Sequence, residues 1–209
     1  SEIVHVAPAL GALKTVRARY PNCLTVVGGH HPTMKPQDFA DPVVDLIVLG
    51  EGVETFRELC AIREAGGTDY TSVAGLAIPQ PDGTLQRTAV RPLPKNLDHY
   101  PMPDRSLTAR YRSRYFYLFE NSVAAVRTSF GCPHHCIFCS VRVYADGCFI
   151  SRSAELVFAE LKNLDAAFIM FCDDHSFADP ERMRTLAQML LDAGIKKRYF
   201  AYSRADSIV

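Results

Sequence analysis

The sequence carries no excess of charge: 23 Lys and Arg balance 23 Asp and Glu. That balance removes the electrostatic pull toward nucleic acid or an acidic membrane surface that a basic chain would have. No apolar run approaches the ~20 residues of a membrane-spanning helix, and no signal-peptide pattern opens the chain. Internal repeats and low-complexity tracts are missing too, so the 209 residues are read as one large or two small globular domains. No initiating methionine is present, which together with the organisation below is read as a fragment. What is abundant is apolar content, 48%, ample for a core.

The most specific stretch is Gly131-Cys132-Pro133-His134-His135-Cys136-Ile137-Phe138-Cys139. It spaces three thiols as C-x3-C-x2-C, with an aromatic residue, Phe138, directly before the last, in a loop after the apolar, strand-like run 122–129. Three cysteines with His134, His135, Cys148 or His175 in reach could make a tetrahedral zinc site. Structural zinc sites usually pair two well-separated knuckles, however, and no second knuckle exists here. Cys23, Cys60 and Cys172 lie in apolar runs and are read as buried core thiols, and Cys148 and Cys172 as structural. Seven cysteines, three of them clustered, fit a metalloprotein of a reducing compartment better than a disulfide framework, and the expected address is the cytoplasm.

The loop resembles the cluster loop of radical S-adenosylmethionine (SAM) enzymes. A [4Fe-4S] cluster is normally held by four thiolates. Three close thiols, Cys132, Cys136 and Cys139, with no obvious fourth would leave one iron open to a small molecule. In that family the open iron takes SAM, and one-electron reduction of the sulfonium yields methionine and a 5'-deoxyadenosyl radical. The protein's task is then positioning and shielding.

The preceding residues alternate between the two periodicities. Residues 8–20 read as a helix with Leu10, Leu13, Val16 and Tyr20 on one buried face. Short strands over 23–27 and 45–49 end at Gly28-Gly29-His30-His31-Pro32-Thr33 and Gly50-Glu51-Gly52. A helix follows over 53–64, with Phe56, Leu59, Cys60 and Arg63 on one side and Gly66-Gly67 as its stop. Strand, helix and strand in alternation imply an open parallel sheet with helices on both faces, whose ligands gather at the carboxyl ends of strands.

V-V-G-G-H-H-P-T, followed about twenty residues later by L-G-E-G-V-E-T-F, resembles the second half of the cobalamin-binding domain of one large radical SAM subgroup. The resemblance implies that Gly28 and Gly29 let the backbone approach the cobalamin tail, with Glu51 and Gly52 beside it. The first strand of that fold and the loop that often bears an axial histidine are absent. His5, in Val4-His5-Val6, lacks the D-x-H-x-x-G context, and His30 and His31 are read as turn residues rather than cobalt ligands.

Two extended runs over 73–90 flank the hairpin turn Pro81-Asp82-Gly83. The proline-rich stretch that opens residues 91–118 is the candidate linker. Residues 110–119 combine Arg110, Arg112 and Arg114 with five aromatics; the neutral chain argues for buried rings and solvated arginines over a nucleic-acid patch. Beyond the cysteine loop, Ser153 caps a helix bearing Val157, Leu161 and Leu164. An apolar strand, 166–172, leads to Asp173-Asp174-His175-Ser176-Phe177. A helix then runs from the Asp179 cap and Pro180 through Met183, Leu186, Ala187 and Leu190 to Gly194. A third strand, 198–203, ends at Arg204-Ala205-Asp206.

Three such units match the first half of a β/α barrel, in which active groups sit at the carboxyl ends of strands. The expected fold is thus α/β: a partial Rossmann-like cobalamin domain (1–90), a linker (91–118) and a partial radical SAM domain (119–209). By resemblance, Asp173 or Asp174 meets the SAM ammonium; Arg204, with Ser203 helping, could pair with the SAM carboxylate or form a surface ion pair. By themselves the paired carboxylates could equally be acid and base, a magnesium site or a helix-entry cap.

The implied cofactors are a [4Fe-4S] cluster, SAM and cobalamin. The implied partners are a small-molecule substrate and an electron donor such as flavodoxin or ferredoxin. The implied reaction is methylation of an unactivated carbon. The wording of Y-F-Y-L-F and F-C-D-D-H-S-F-A-D-P is nearest to relatives acting on polycyclic lipids such as hopanoids. Radical ring cyclisation or oxidation within the class is the first alternative. A non-catalytic zinc or iron-sulfur module is the second.

Overall fold

The computed structural model describes residues 5–207, and the chain divides into two compact units, one ending at Leu93 and the other starting at Pro94. Val4 of the Val4-His5-Val6 reading lies outside the described residues. Among the described residues no helix is long and apolar enough to cross a membrane.

The first unit is built on four short strands: β1 (Val26–Val27), β2 (Leu46–Val48), β3 (Leu76–Pro79) and β4 (Leu85–Arg87). They are ordered β1-β2-β3-β4, with β1 and β2 parallel and the two later strands antiparallel. The sheet is therefore mixed rather than wholly parallel, because the hairpin around Pro81-Asp82-Gly83 adds its strands to the same sheet. Among the described residues three α-helices accompany it, α1 (Val6–Arg19), the single turn α2 (His30–Met34) and α3 (Val53–Glu64), with a 3-10 turn over Pro36–Phe39.

The bounds of α3 are those expected, but its face is not. Thr55 and Leu59 are buried while Phe56 and Cys60 are exposed. The reason is polar: the Thr55 hydroxyl donates to Ala74 O at 3.1 Å and accepts from Arg91 Nε at 2.7 Å, which draws that side inward. In α1, Leu10 and Leu13 pack on the core as expected, whereas Val16 and Tyr20 are exposed.

The second unit centres on a parallel sheet of order β11-β10-β7, made of β7 (Val123–Val126), β10 (Phe168–Phe171) and β11 (Arg198–Phe200). Helix α5 (Ala154–Lys162) lies between β7 and β10 in the chain, and α6 (Pro180–Asp192) between β10 and β11. Short antiparallel pairs flank this sheet: β5 (Phe116–Tyr117) with β6 (Glu120–Asn121), and β8 (Ser129–Gly131) with β9 (Phe149–Ser151). One further turn of helix, α4 (Val141–Ala145), precedes β9.

Local chemistry sets the helix starts. Ser153 Oγ accepts from Leu156 N, and Asp179 Oδ1 from Arg182 N, with Pro180 where its missing N–H has no partner to lose. Val157, Leu161, Ile169 and Leu186 are fully buried between helices and sheet, each side chain contributing about 1.5–3 kcal/mol. Ala187, expected inside, is exposed; Arg182 takes the inward position.

The proline-rich stretch belongs partly to this unit. Leu97 is buried, Asp98 accepts from Ser153 N at 2.7 Å, and Arg105 donates to buried Glu160 at 2.6 Å. Of the rings expected to be buried after it, Tyr117 is half-buried with its ring near those of Phe168 and Phe200, whereas Phe116 is exposed and Phe119, at the tip of the β5–β6 turn, is 99% exposed. Cys23, Cys60, Cys148 and Cys172 are all exposed as well, so none is a core thiol. Cys172 follows β10 with its neighbours Phe171 and Asp173 turned inward.

Candidate functional site

The three parallel strands of the second unit deliver their following segments, 127–131, 172–177 and 201–207, to one end of the sheet. Every candidate residue of this half except the cysteine loop lies in those segments. The loop itself is held between β8 and α4. Gly131, its first residue, has φ +79°, and a Cβ there would stand 2.2 Å from Cys148 O and 3.1 Å from Ala145 Cβ. Only glycine allows β8 to lie this close to the segment leading into β9.

All three thiols, Cys132, Cys136 and Cys139, are free and half-buried. Ile137 and Phe138 point outward, each 89% exposed, and Cys139 N donates to Cys136 O at 3.1 Å. Burial pushes the Cys132 thiol above its usual range; the His134 backbone N–H opposes this, and Cys139 and Cys136 add to it. A partly desolvated thiol such as Cys132 ionises readily only beside a cation. Among the described residues no group of three His, Cys, Asp or Glu is gathered around one point. A multi-iron cluster places each thiolate on a different iron, and the donor set of three free thiols in one loop fits it.

The paired aspartates divide their work. Asp173 is 3% exposed and accepts from Thr128 N at 2.7 Å, Ser129 N at 2.9 Å and Thr128 Oγ1 at 2.6 Å. Buried Arg182 backs this knot from α6, donating to Thr128 Oγ1 at 3.1 Å and to Arg152 O at 3.2 Å. Burial lowers the Arg182 pKa, with Asp173 the first of the charges opposing the shift.

Asp174 spans the cysteine loop: Oδ2 accepts from Gly131 N at 3.0 Å and Oδ1 from Tyr144 Oη at 2.7 Å, one partner on either side of the three thiols. Burial, followed by the bond to Asp174, raises the Tyr144 pKa strongly. Sequence reasoning missed Tyr144 and Arg182. Arg182 was detectable as a charge in register with Leu186 and Leu190 on the apolar stripe, whereas nothing local marks Tyr144.

Within the loop, the His134 ring lies 5.5 Å from that of His175, which is 2% exposed. Its Nε2 meets Ser207 Oγ at 3.2 Å, and its Nδ1 has no partner. Burial, then His134 and Arg204, lower the His175 pKa against the opposing pull of Asp206. Ser203 Oγ donates to Arg204 O at 3.3 Å. Arg204 gives Nε and Nη2 to Asp206 at 2.9 and 2.6 Å, and Nη1 to Cys136 Sγ at 3.4 Å.

In the first unit, both glycine turns sit at the carboxyl ends of β1 and β2. Gly28 and Gly52 close on Val48: a Cβ would stand 3.3 Å from Val48 Cβ at the first and 2.8 Å from Val48 Cγ1 at the second. Thr33, the last residue of V-V-G-G-H-H-P-T, bridges the turns, donating to Gly29 O at 2.7 Å and accepting from Gly50 N at 3.0 Å. Above Gly29 and Gly50 a Cβ would meet nothing within 4 Å, so backbone is open to an incoming group there. Glu51 stands half-buried between Gly50 and Gly52. His31 is buried in the turn, paired with Asp38 at 2.7 Å and edge-on to Phe39.

No family model matches the chain. It is 26% identical over 213 residues to the hopanoid C-3 methylase of Methylococcus capsulatus, covering 99% of this chain and 39% of that protein. Over 135 residues it is 36% identical to the cobalamin-dependent radical SAM methyltransferase TokK of Streptomyces tokunonensis, covering 60% of this chain and 19% of TokK. Among solved structures, the cobalamin-dependent S-adenosylmethionine radical enzyme OxsB matches 98% of the chain with a TM-score of 0.76 at 18% identity, over 30% of its own length. The chain thus shares the α/β fold of OxsB and spans well under half the length of these relatives.

Proposed function

As a homologue of the cobalamin-dependent radical SAM methyltransferases, this chain is, we propose, the cofactor-holding part of an enzyme that methylates an unactivated carbon of a small molecule. The single observation that carries the reading is the loop of three free thiols, Cys132, Cys136 and Cys139, held by Asp174 through Gly131 and Tyr144. We read the first unit as part of a Rossmann-like cobalamin domain and the parallel sheet β7-β10-β11 as the opening strands of a (β/α) barrel. Bound to this framework, the cluster, SAM and cobalamin would supply radical generation and a transferable methyl group.

The chain's own residues hold, orient and shield. Cys132, Cys136 and Cys139 are the cluster thiolates, and exposed Phe138 is the ring available to cover the bound group. Asp174, on the open side of the carboxylate pair, is better placed than Asp173 to meet the SAM ammonium, because Asp173 is committed to three donors of 128–129. Ser203 and Arg204 border the same space. In the first unit Gly28, Gly29, Glu51 and Gly52 frame the open backbone proposed for the cobalamin tail.

Similarity to the hopanoid methylase over nearly the whole chain favours a polycyclic lipid as substrate, and a flavodoxin or ferredoxin is the electron donor proposed with it. The test is an anaerobic assay of the complete protein with SAM labelled in its methyl group and reductant present. Label transferred to carbon, with 5'-deoxyadenosine formed, supports methylation. 5'-Deoxyadenosine with a ring-closed or oxidised product and no label supports the cyclase alternative, and neither product refutes both.

A further inference from the structure

Of the two roles open to Arg204, a clamp on the SAM carboxylate and an ion pair, its hydrogen bonds take the second. Of its five N–H groups, the Nε and Nη2 pair, which forms the fork suited to a carboxylate, is already closed on Asp206 at 2.9 and 2.6 Å. The remaining Nη1 points at Cys136 Sγ, 3.4 Å away. The segment that carries it is anchored at its far end too, because Ser207 in the turn Ala205–Ser207 meets the buried His175 ring at 3.2 Å. The guanidinium is thus fixed against one thiol of the three, with a carboxylate behind it.

We propose that Arg204 and Asp206 form a second-sphere couple that sets the reduction potential of the iron-sulfur cluster through the Arg204–Cys136 hydrogen bond. The proposal rests on the cluster reading above. An N–H donor and a positive charge beside a cluster sulfur stabilise the reduced, more negative state and raise its potential. Asp206 works against this: it shares the guanidinium's charge and keeps the group half-neutralised. Removing the two partners should therefore shift the potential in opposite directions, although either change breaks the same ion pair. A purely structural pair, or one that merely secured the turn, would give shifts of the same sign or none.

The experiment is a redox titration, followed by electron paramagnetic resonance, of the anaerobically reconstituted complete protein without SAM, beside Arg204→Met and Asp206→Asn. Asparagine keeps an acceptor oxygen for the guanidinium and removes the charge. Arg204→Met should lower, and Asp206→Asn raise, the ratio of reduced to oxidised cluster at fixed potential by roughly threefold to tenfold, tenfold being ~59 mV for one electron. If Arg204→Met fails to hold a cluster, the sign in Asp206→Asn decides alone. Unchanged potentials, shifts of one sign, or weakened SAM binding in Arg204→Met with an unaltered potential overturn the proposal. Absence of any cluster in the unaltered protein would overturn the cluster reading itself, and the proposal with it.

Discussion

Replacing Gly131 by alanine tests how the cysteine loop is held, and the structure supplies its own control. Gly194, past the end of α6, also has positive φ, +64°, but a Cβ there meets nothing within 4 Å. Gly194→Ala should therefore cost only the left-handed penalty of an L residue, about 1–2 kcal/mol. At Gly131 the same penalty applies, and the new Cβ would also stand 2.2 Å from Cys148 O. That oxygen belongs to backbone, so relief requires β8 to part from the segment entering β9, an overpacking cost of about 1–3 kcal/mol more. The expected total is roughly 2–5 kcal/mol. Cys132 follows directly, so the displaced strand carries the first thiol with it. Urea unfolding of both variants measures the difference, and iron content after anaerobic reconstitution measures the displacement. Equal destabilisation by the two substitutions, with full iron in Gly131→Ala, would refute the reasoning.

Two further outcomes follow from buried charge. Glu160 is buried and receives Arg105 at 2.6 Å and Arg152 at 2.5 Å; Glu160→Ala leaves the buried Arg152 guanidinium without a counter-charge and should cost about 3–5 kcal/mol in thermal or urea unfolding, and a loss under 1 kcal/mol would show that water takes its place. His175 has a folded-state pKa below its ordinary 6.5, chiefly through burial, so its contribution to stability is complete well above 6.5 and is lost as pH falls from there through the folded value. Stability measured from pH 8 down to 5, taken as wild type minus His175→Gln, should decline on the acid side, and a flat difference would mean that the ring accepts its proton without cost.

Where one short stretch carries the information, the sequence was enough. Asp179-Pro180 and Gly194 bracket α6, whose span is Pro180–Asp192, and the three cysteines declare themselves by spacing alone. Burial was less legible wherever a polar contact made over a long separation overrides apolar identity. Thr55, not Phe56, turns inward because Ala74 and Arg91 lie there to bond it. Cys172 follows a buried strand, yet it points outward because Asp173 takes the inward position to bind Thr128 and Ser129. The site shows the same division. Its clustered cysteines are visible in the sequence, but the Asp174–Tyr144 link spans 30 positions and the Arg204–Cys136 contact 68, and no local pattern encodes either.

The most direct measurement is the iron, acid-labile sulfide and zinc content of the anaerobically reconstituted protein beside its Cys132→Ala, Cys136→Ala and Cys139→Ala variants. A three-thiolate [4Fe-4S] site predicts about four irons and four sulfides per chain, with a sulfide-to-iron charge-transfer absorption that is lost in each variant. About one tightly bound zinc per chain without that absorption, or undiminished iron in the variants, would contradict it.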